Sequence, residues 1–189
     1  QAPAAVRGEV RRRVMEAARE TLPVQETLAE ATPLARLRLF EDHLISRNLL
    51  DGRAESALCM DAARRRAVMI NEEDHLRIQA LRPGLALREA WADATALDDL
   101  LEQRLDYAFS PALGYLTSCP SNVGTGLRAS VLMHLPGLVL MGEMEPIING
   151  LGKIGLAVRG RWGEGTAALG HMFQVSNQVT LGQPEERVV

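Results

Sequence analysis

The stretch Ala67-Val68-Met69-Ile70-Asn71-Glu72-Glu73-Asp74-His75-Leu76-Arg77-Ile78-Gln79-Ala80 decides how this chain is read. Its first four residues form a compact apolar run of the kind a buried strand carries. After the polar interruption, Leu76, Ile78 and Ala80 alternate with His75, Arg77 and Gln79, the period of a second strand. Glu72, Glu73 and Asp74 lie between the two, directly after a buried segment, where a carboxylate must be solvated, paired or functional. If the extended conformation ran through them, Glu73, His75 and Arg77 would share one face. A charged strand end is the plainer reading of this cluster. The sharper one is a cation site: carboxylates match the donor fork of a guanidinium bidentately, and can accept the proton it loses on becoming a nucleophile.

Working outward, Val6, Val10, Val14, Ala17, Ala18 and Leu22 recur at helical spacing, so the periodicity predicts an amphipathic helix from Val6 to Leu22, stopped by Pro23. Leu34, Leu37, Leu39 and Leu44 suggest a short strand within Thr32 to Leu50, then a turn near Ser46 to Gly52. Pro83-Gly84 closes the second strand, and Leu87, Trp91, Ala94, Leu97, Leu101 and Leu105 predict a long helix. Leu113 to Ser118 reads as a strand, Cys119 to Gly126 as a loop, and Leu127 to Met133 as a strand with Arg128 and Ser130 on one face. Pro136 suits the first turn of a following helix, which Pro146 shortens. Ile154 to Val158 and Met172 to Leu181 complete the extended segments. Strands and helices mix without a strand-helix repeat, which predicts an α+β fold, a mostly antiparallel sheet flanked by helices.

The composition sets outer bounds. With 189 residues, 47% hydrophobic content and a formal net charge of −3, the chain reads as one well-buried globular domain, or one domain with a small appendage. The near-neutral charge argues against a general nucleic-acid binder; Arg11-Arg12-Arg13 and Arg64-Arg65-Arg66 are read as solvated faces. No apolar run reaches the roughly 18 residues of a membrane span, and no secretory leader is legible, so a cytoplasmic location is expected. Cys59 is read as a small buried hydrophobe, and His134 and His171 lack partners at metal-ligand spacing, so no protein-held metal is expected. Lys153 is the only lysine, so arginine is the default cation here and an arginine's position, more than its identity, must argue for a role.

Cys119-Pro120-Ser121-Asn122-Val123-Gly124-Thr125-Gly126-Leu127-Arg128 offers small residues, several N–H donors and an arginine at its exit, a weak anion-loop signal by itself. Arg159, ahead of the glycine-rich Gly160 to Gly165, has a similar setting. If Arg77, Arg128 and Arg159 converge, they would clamp a polyphosphate, and positioning with charge neutralisation is most of what phosphoryl transfer needs.

Asn71 to Arg77, the cysteine loop, and Arg159-Gly160 with Gly163, Thr166-Ala167-Ala168 and Ser176-Asn177 together resemble the guanidino (phosphagen) kinase family over essentially the whole chain. Leu116-Thr117-Ser118, Arg128-Ala129-Ser130-Val131 and Phe173 to Gln178 resemble most its bacterial protein-arginine kinases. The resemblance implies one ATP:guanidino phosphotransferase catalytic domain over residues 1–189, truncated at both ends, using ATP with Mg2+. It implies that Glu73 orients and deprotonates a guanidinium with Glu72 nearby, and that Cys119 lies beside that group, its thiolate favoured by Ser121. Arg77, Arg128 and Arg159 would hold phosphates and His43 the base, while Ala129, Ser130, Val131 and Leu132 with Gly160, Arg161, Trp162, Gly163 and Glu164 would line the nucleotide site. Implied partners are proteins with accessible arginines, a zinc-binding activator, a heat-shock repressor and a Clp protease system acting in a stress response; a homodimer is within what the resemblance allows. The family's serine-arginine-x-arginine segment does not occur before Arg36, so the isolated chain is expected to turn over weakly or not at all. A small-molecule phosphagen kinase and an inactive nucleotide-binding regulator are the alternative readings.

Overall fold

The computed structural model describes residues 2–160 and 169–189. They divide into two compact units, Gln1–Tyr107 and Ala108–Val189.

In the first unit, helix α1 (Ala4–Ala18) carries the predicted apolar stripe, with Val14, Ala17 and Ala18 buried. Pro23 ends that segment, and β1 (Val24–Thr27), β2 (Ala57–Met60), β3 (Arg66–Ile70) and β4 (Leu76–Ala80) follow as an antiparallel meander in that order. The register pairs Cys59 with Val68 and Leu58 with Met69. Because side chains alternate across a strand, Ala57, Cys59, Val68 and Ile70 pack on one face with Leu22 of the segment after α1 and with Leu97 and Leu101 of helix α3 (Leu87–Glu102). Leu58, Met60, Ala67 and Met69 pack on the other with Leu28, Leu39, Leu44 and Leu49. Both faces of the central strands are thus covered, which is why residues 67–70 show no polar alternation. Each fully buried leucine in these two layers contributes roughly 1.5–3 kcal/mol.

Two local expectations are corrected. Thr32 to Leu50 holds no strand: Pro33–Glu41 is helix α2, and Arg47–Leu49 is one 3-10 turn. The reason is a cap, since the Thr32 hydroxyl accepts from Ala35 N at 3.2 Å and Pro33 occupies the first turn. The extended conformation also fails through the acidic cluster. Asn71 adopts φ 56°, and its N–H donates to the His75 carbonyl at 3.1 Å, so the chain turns and Glu73, His75 and Arg77 do not form one strand face.

The second unit contains a short hairpin, β5 (Phe109–Ser110) with β6 (Gly114–Tyr115), on which the Phe109 and Tyr115 rings meet edge to face at 5.3 Å. The cysteine loop follows, with a 3-10 turn at Pro120–Asn122. β7 (Ser130–His134), β8 (Leu156–Gly160) and β9 (Met172–Asn177) form an antiparallel sheet with β9 in the middle. Helices α4 (Pro136–Leu140) and α5 (Met144–Lys153) connect β7 to β8, and Pro146 falls in the first turn of α5, where its missing N–H costs nothing. β8 starts two residues later than expected, after Gly155 at φ 81°. A four-residue helix, α6 (Glu185–Val188), lies at the end. The α+β class with antiparallel sheets and flanking helices is as read from the sequence.

Candidate functional site

The turn between β3 and β4 sets the carboxylates in opposite environments. Glu72 points inward: its side chain is only 4% exposed. One carboxylate oxygen accepts from Ser46 Oγ at 2.6 Å and Asn48 Nδ2 at 2.9 Å, and the other accepts from the Glu73 N–H at 2.8 Å and lies 3.7 Å from Arg77. Burial opposes the charge, but the Ser46 hydroxyl, the Glu73 N–H, the Arg77 guanidinium and the Asn48 amide together outweigh it and hold the carboxyl below the usual glutamate range. Glu73, the next residue, is exposed.

Asn71 organises this turn. Its amide donates to the carbonyls of Arg7 at 2.9 Å and Glu55 at 2.7 Å, and its own carbonyl accepts from the Ser56 hydroxyl at 3.1 Å. With the amide nitrogen so engaged, Asn71 Oδ1 is the acceptor facing His75 Nδ1 at 2.9 Å, which assigns the hydrogen to Nδ1. His43, just past α2 at φ 59°, accepts from Gln79 Nε2 through its carbonyl at 2.9 Å.

In the second unit, Cys119 is half-buried and its Sγ lies 3.0 Å from Ser121 Oγ, the hydroxyl neighbour expected of it. Three backbones meet beneath the loop. Gly114 at φ 81° and Gly124 at φ 114° leave no room for a Cβ: one would overlap the Gly124 carbonyl, the other the Thr180 carbonyl. The Thr180 hydroxyl lies 2.9 Å from the Ser121 carbonyl and 2.8 Å from that of Val123. Beside this braced loop is a cavity of about 240 Å³ lined by Ser121, Asn122, Arg128, Arg159, Asn177, Gln178 and Thr180.

The structure therefore brings Arg128 and Arg159 together with two residues of the cysteine loop. Arg128 itself precedes β7, so the expected shared strand face with Ser130 is replaced by a loop position. Ser130 Oγ accepts from Gln174 Nε2 at 2.9 Å, Ala129 N–H is bonded to Asn177, Val131 and Leu132 lie in β7, and Gly160 ends β8 buried. Arg161, Trp162, Gly163 and Glu164 lie outside the described residues. Arg77, Glu72, Glu73 and His43 belong to the first unit. Thr180, which carried no sequence signal, and the bracing role of Asn177 were not legible beforehand. Among the described residues, no cluster of three or more His, Cys, Asp or Glu is arranged to hold a metal, and no helix is long and apolar enough to cross a membrane.

One arginine from a loop and one from β8, beside polar side chains of the cysteine loop and β9, suit a phosphate chain, and an exposed carboxylate suits a guanidinium. Residues 7–189 match the family model described as ATP:guanido phosphotransferase, C-terminal catalytic domain. The chain is 53% identical over 163 residues to the protein-arginine kinase of Pelotomaculum thermopropionicum, covering 86% of this chain and 46% of that protein. It is 54% identical over 160 residues to the protein-arginine kinase of Bacillus cereus, covering 85% and 45%. The chain thus spans about half the length of these curated relatives. Among solved structures it resembles the Schistosoma mansoni duplicated taurocyamine kinase with bound transition state analog components, at TM-score 0.85 and 25% identity over 96% of this chain and 27% of that one. It also resembles a lombricine kinase, at TM-score 0.79 and 26% identity over 99% of this chain and 56% of that one.

Proposed function

The chain belongs to the ATP:guanido phosphotransferase family, and on that premise we propose that it is the catalytic domain of a protein-arginine kinase, transferring the γ-phosphoryl of ATP to arginine side chains of proteins. The observation that carries this is the cavity shared by Arg128, Arg159, Ser121 and Asn122, in a chain more than half identical to enzymes named for that activity. Both units lie within the matched family domain, and they are read here as its two parts.

The nucleotide, carried with its Mg2+, supplies the transferable phosphoryl group. The residues of this chain bind, aim and move a proton. In this reading Arg128, Arg159 and Arg77 take phosphate oxygens, His43 meets the base, and residues 129–132 and 160–164 line the nucleotide. The exposed Glu73 holds the substrate guanidinium and takes the proton from its attacking nitrogen. Glu72 acts differently from its neighbour: with three hydrogen-bond donors on its two oxygens and the Arg77 guanidinium 3.7 Å away, it braces Arg77 and the Glu73 backbone. Cys119 faces the cation, with the Ser121 hydroxyl beside its sulfur. The implied substrates are proteins with accessible arginines. The zinc-binding activator, the heat-shock repressor, the Clp system, a homodimer and a cytoplasmic setting belong to the same proposal.

The test is incubation with Mg-ATP and either an unfolded arginine-containing protein or free arginine, with Glu73→Gln as the blank. The expected product is acid-labile phosphate on the protein, formed slowly because the serine-arginine-x-arginine segment is not among these residues. Phosphate on free arginine alone would instead make this a small-molecule guanidino kinase. Nucleotide binding with no product on either, in a full-length chain, would make it a regulator.

A further inference from the structure

The two arginines of the cavity are both held by one dipeptide at the end of the central strand. Asn177 grips the peptide units on either side of Arg128. Its Oδ1 accepts from the Ala129 N–H at 2.9 Å, its Nδ2 donates to the Leu127 carbonyl at 3.0 Å, and its backbone N–H reaches the Ala129 carbonyl at 3.4 Å. The preceding residue, Ser176, is buried at 2% exposure, and its Oγ accepts from Arg159 Nη1 at 3.3 Å.

This arrangement solves a geometric problem. The β7–β9 ladder ends at the pair Ser130 and Ser176, so Arg128 lies two residues before the last paired residue of β7. The Asn177 side chain takes the place of the missing rungs, because an amide offers the same donor and acceptor pair as a peptide unit. Arg159 lies opposite Gln174 on β8, two residues from Ser176 along β9, within reach of its hydroxyl. The amide thus fixes the backbone that carries Arg128, and the hydroxyl meets the Arg159 guanidinium directly.

We propose that Ser176 and Asn177 are positioning residues for polyphosphate binding, Asn177 by clamping the backbone around Arg128 and Ser176 by orienting the Arg159 guanidinium. This rests on the nucleotide-site reading above. An arginine already aimed gives up less side-chain freedom when its anion arrives, so loss of the clamp weakens binding through the arginine and not through a contact of its own.

The experiment measures calorimetric binding of inorganic tripolyphosphate and of Mg-ADP to the 189-residue chain, with melting curves for every variant. Asn177→Ala and Arg128→Ala are each expected to weaken both probes about tenfold, the size of one lost charge-assisted contact. The double variant is expected to bind no more than about twofold worse than Arg128→Ala alone, since residues acting through one another are non-additive. Ser176→Ala tests the second arm against Arg159→Ala in the same way, in a variant whose small, isosteric change spares the fold. Asn177→Ala and Ser176→Ala binding both probes as tightly as the parent would overturn the proposal. Equal losses from Asn177→Ala with and without Arg128 would also overturn it, by showing general damage to the loop. Failure of the parent chain to bind either probe would overturn the nucleotide-site reading and the inference with it.

Discussion

Replacing Glu72 by glutamine tests the claim that this carboxylate is a brace. The carboxylate accepts from Ser46 and Asn48 on one oxygen and from the Glu73 N–H beside Arg77 on the other. A glutamine must point its NH2 at one of these donor pairs. The less costly choice is toward Ser46, whose hydroxyl can rotate and accept, leaving the carbonyl for Glu73. The Asn48 bond is then lost, worth about 1 kcal/mol, and two charge-assisted bonds become neutral, at about 1 kcal/mol each. The exposed half of the Arg77 pair adds little, and relief from burying a charge returns about 1 kcal/mol. The net is a destabilisation of about 2 kcal/mol at pH 7, measured by urea unfolding of the 189-residue chain. The pH dependence supplies a second check. Because folding depresses this carboxyl's pKa, its stabilisation is complete above the ordinary glutamate value of about 4.3 and disappears as the pH falls through the lower folded value. The gap between parent and variant must therefore narrow as the pH falls below about 4.3, and it is lost only where the folded side chain itself takes up a proton. A gap under about 0.5 kcal/mol at pH 7, the size of an ordinary surface substitution, would refute the brace, as would a gap that stays constant down to pH 3.

Burial pushes the Cys59 thiol up to about 12, so in the folded chain at pH 8 iodoacetamide should modify Cys119 alone, and mass spectrometry that finds both labelled at similar rates would contradict the packing. Removing the α2 cap with Thr32→Ala should cost about 1 kcal/mol in urea unfolding. Thr180→Val keeps the volume but removes the hydroxyl that serves the Ser121 and Val123 carbonyls; it should alter the alkylation rate of Cys119 severalfold, read by timed labelling.

What the sequence made legible follows from which forces are local. α1, α3, β3 and β4 announce themselves by periodicity because each buries a repeated set of side chains. α2 is hidden because two of its leucines, Leu34 and Leu37, are exposed and only Leu39 is buried, so a stripe-based reading fails while the Thr32-Pro33 cap decides. β1 and β2 escaped notice for opposite reasons. β1 is four half-buried residues at a sheet edge, and β2 is four wholly buried ones, Ala57 to Met60, whose alternation is invisible because both faces are apolar. The site residues in the acidic cluster and the cysteine loop were marked by composition. Their partners were not: Ser46, Asn48 and Thr180 come from segments 24 or more residues away, and no local pattern records such pairings.

The different parts given to Glu72 and Glu73 trace back to one backbone angle. Had the chain stayed extended past Ile70, successive side chains would have alternated, and Glu73 would have lined up with His75 and Arg77. Asn71 at φ 56° prevents this, and asparagine is among the few residues that visit that region at modest cost. The conformation is over-determined: the side-chain amide ties to Arg7 and Glu55, its oxygen to His75, the N–H to the His75 carbonyl, and the carbonyl to Ser56. With the turn so fixed, Glu72 is driven inward among donors that keep it ionised, and Glu73 is left at the surface. Two adjacent carboxylates of identical chemistry thereby acquire separate environments, which suits the separate roles proposed for them, a structural anion and a proton acceptor. A residue unable to hold the left-handed conformation at position 71 would disturb both roles together, even though it touches neither carboxylate.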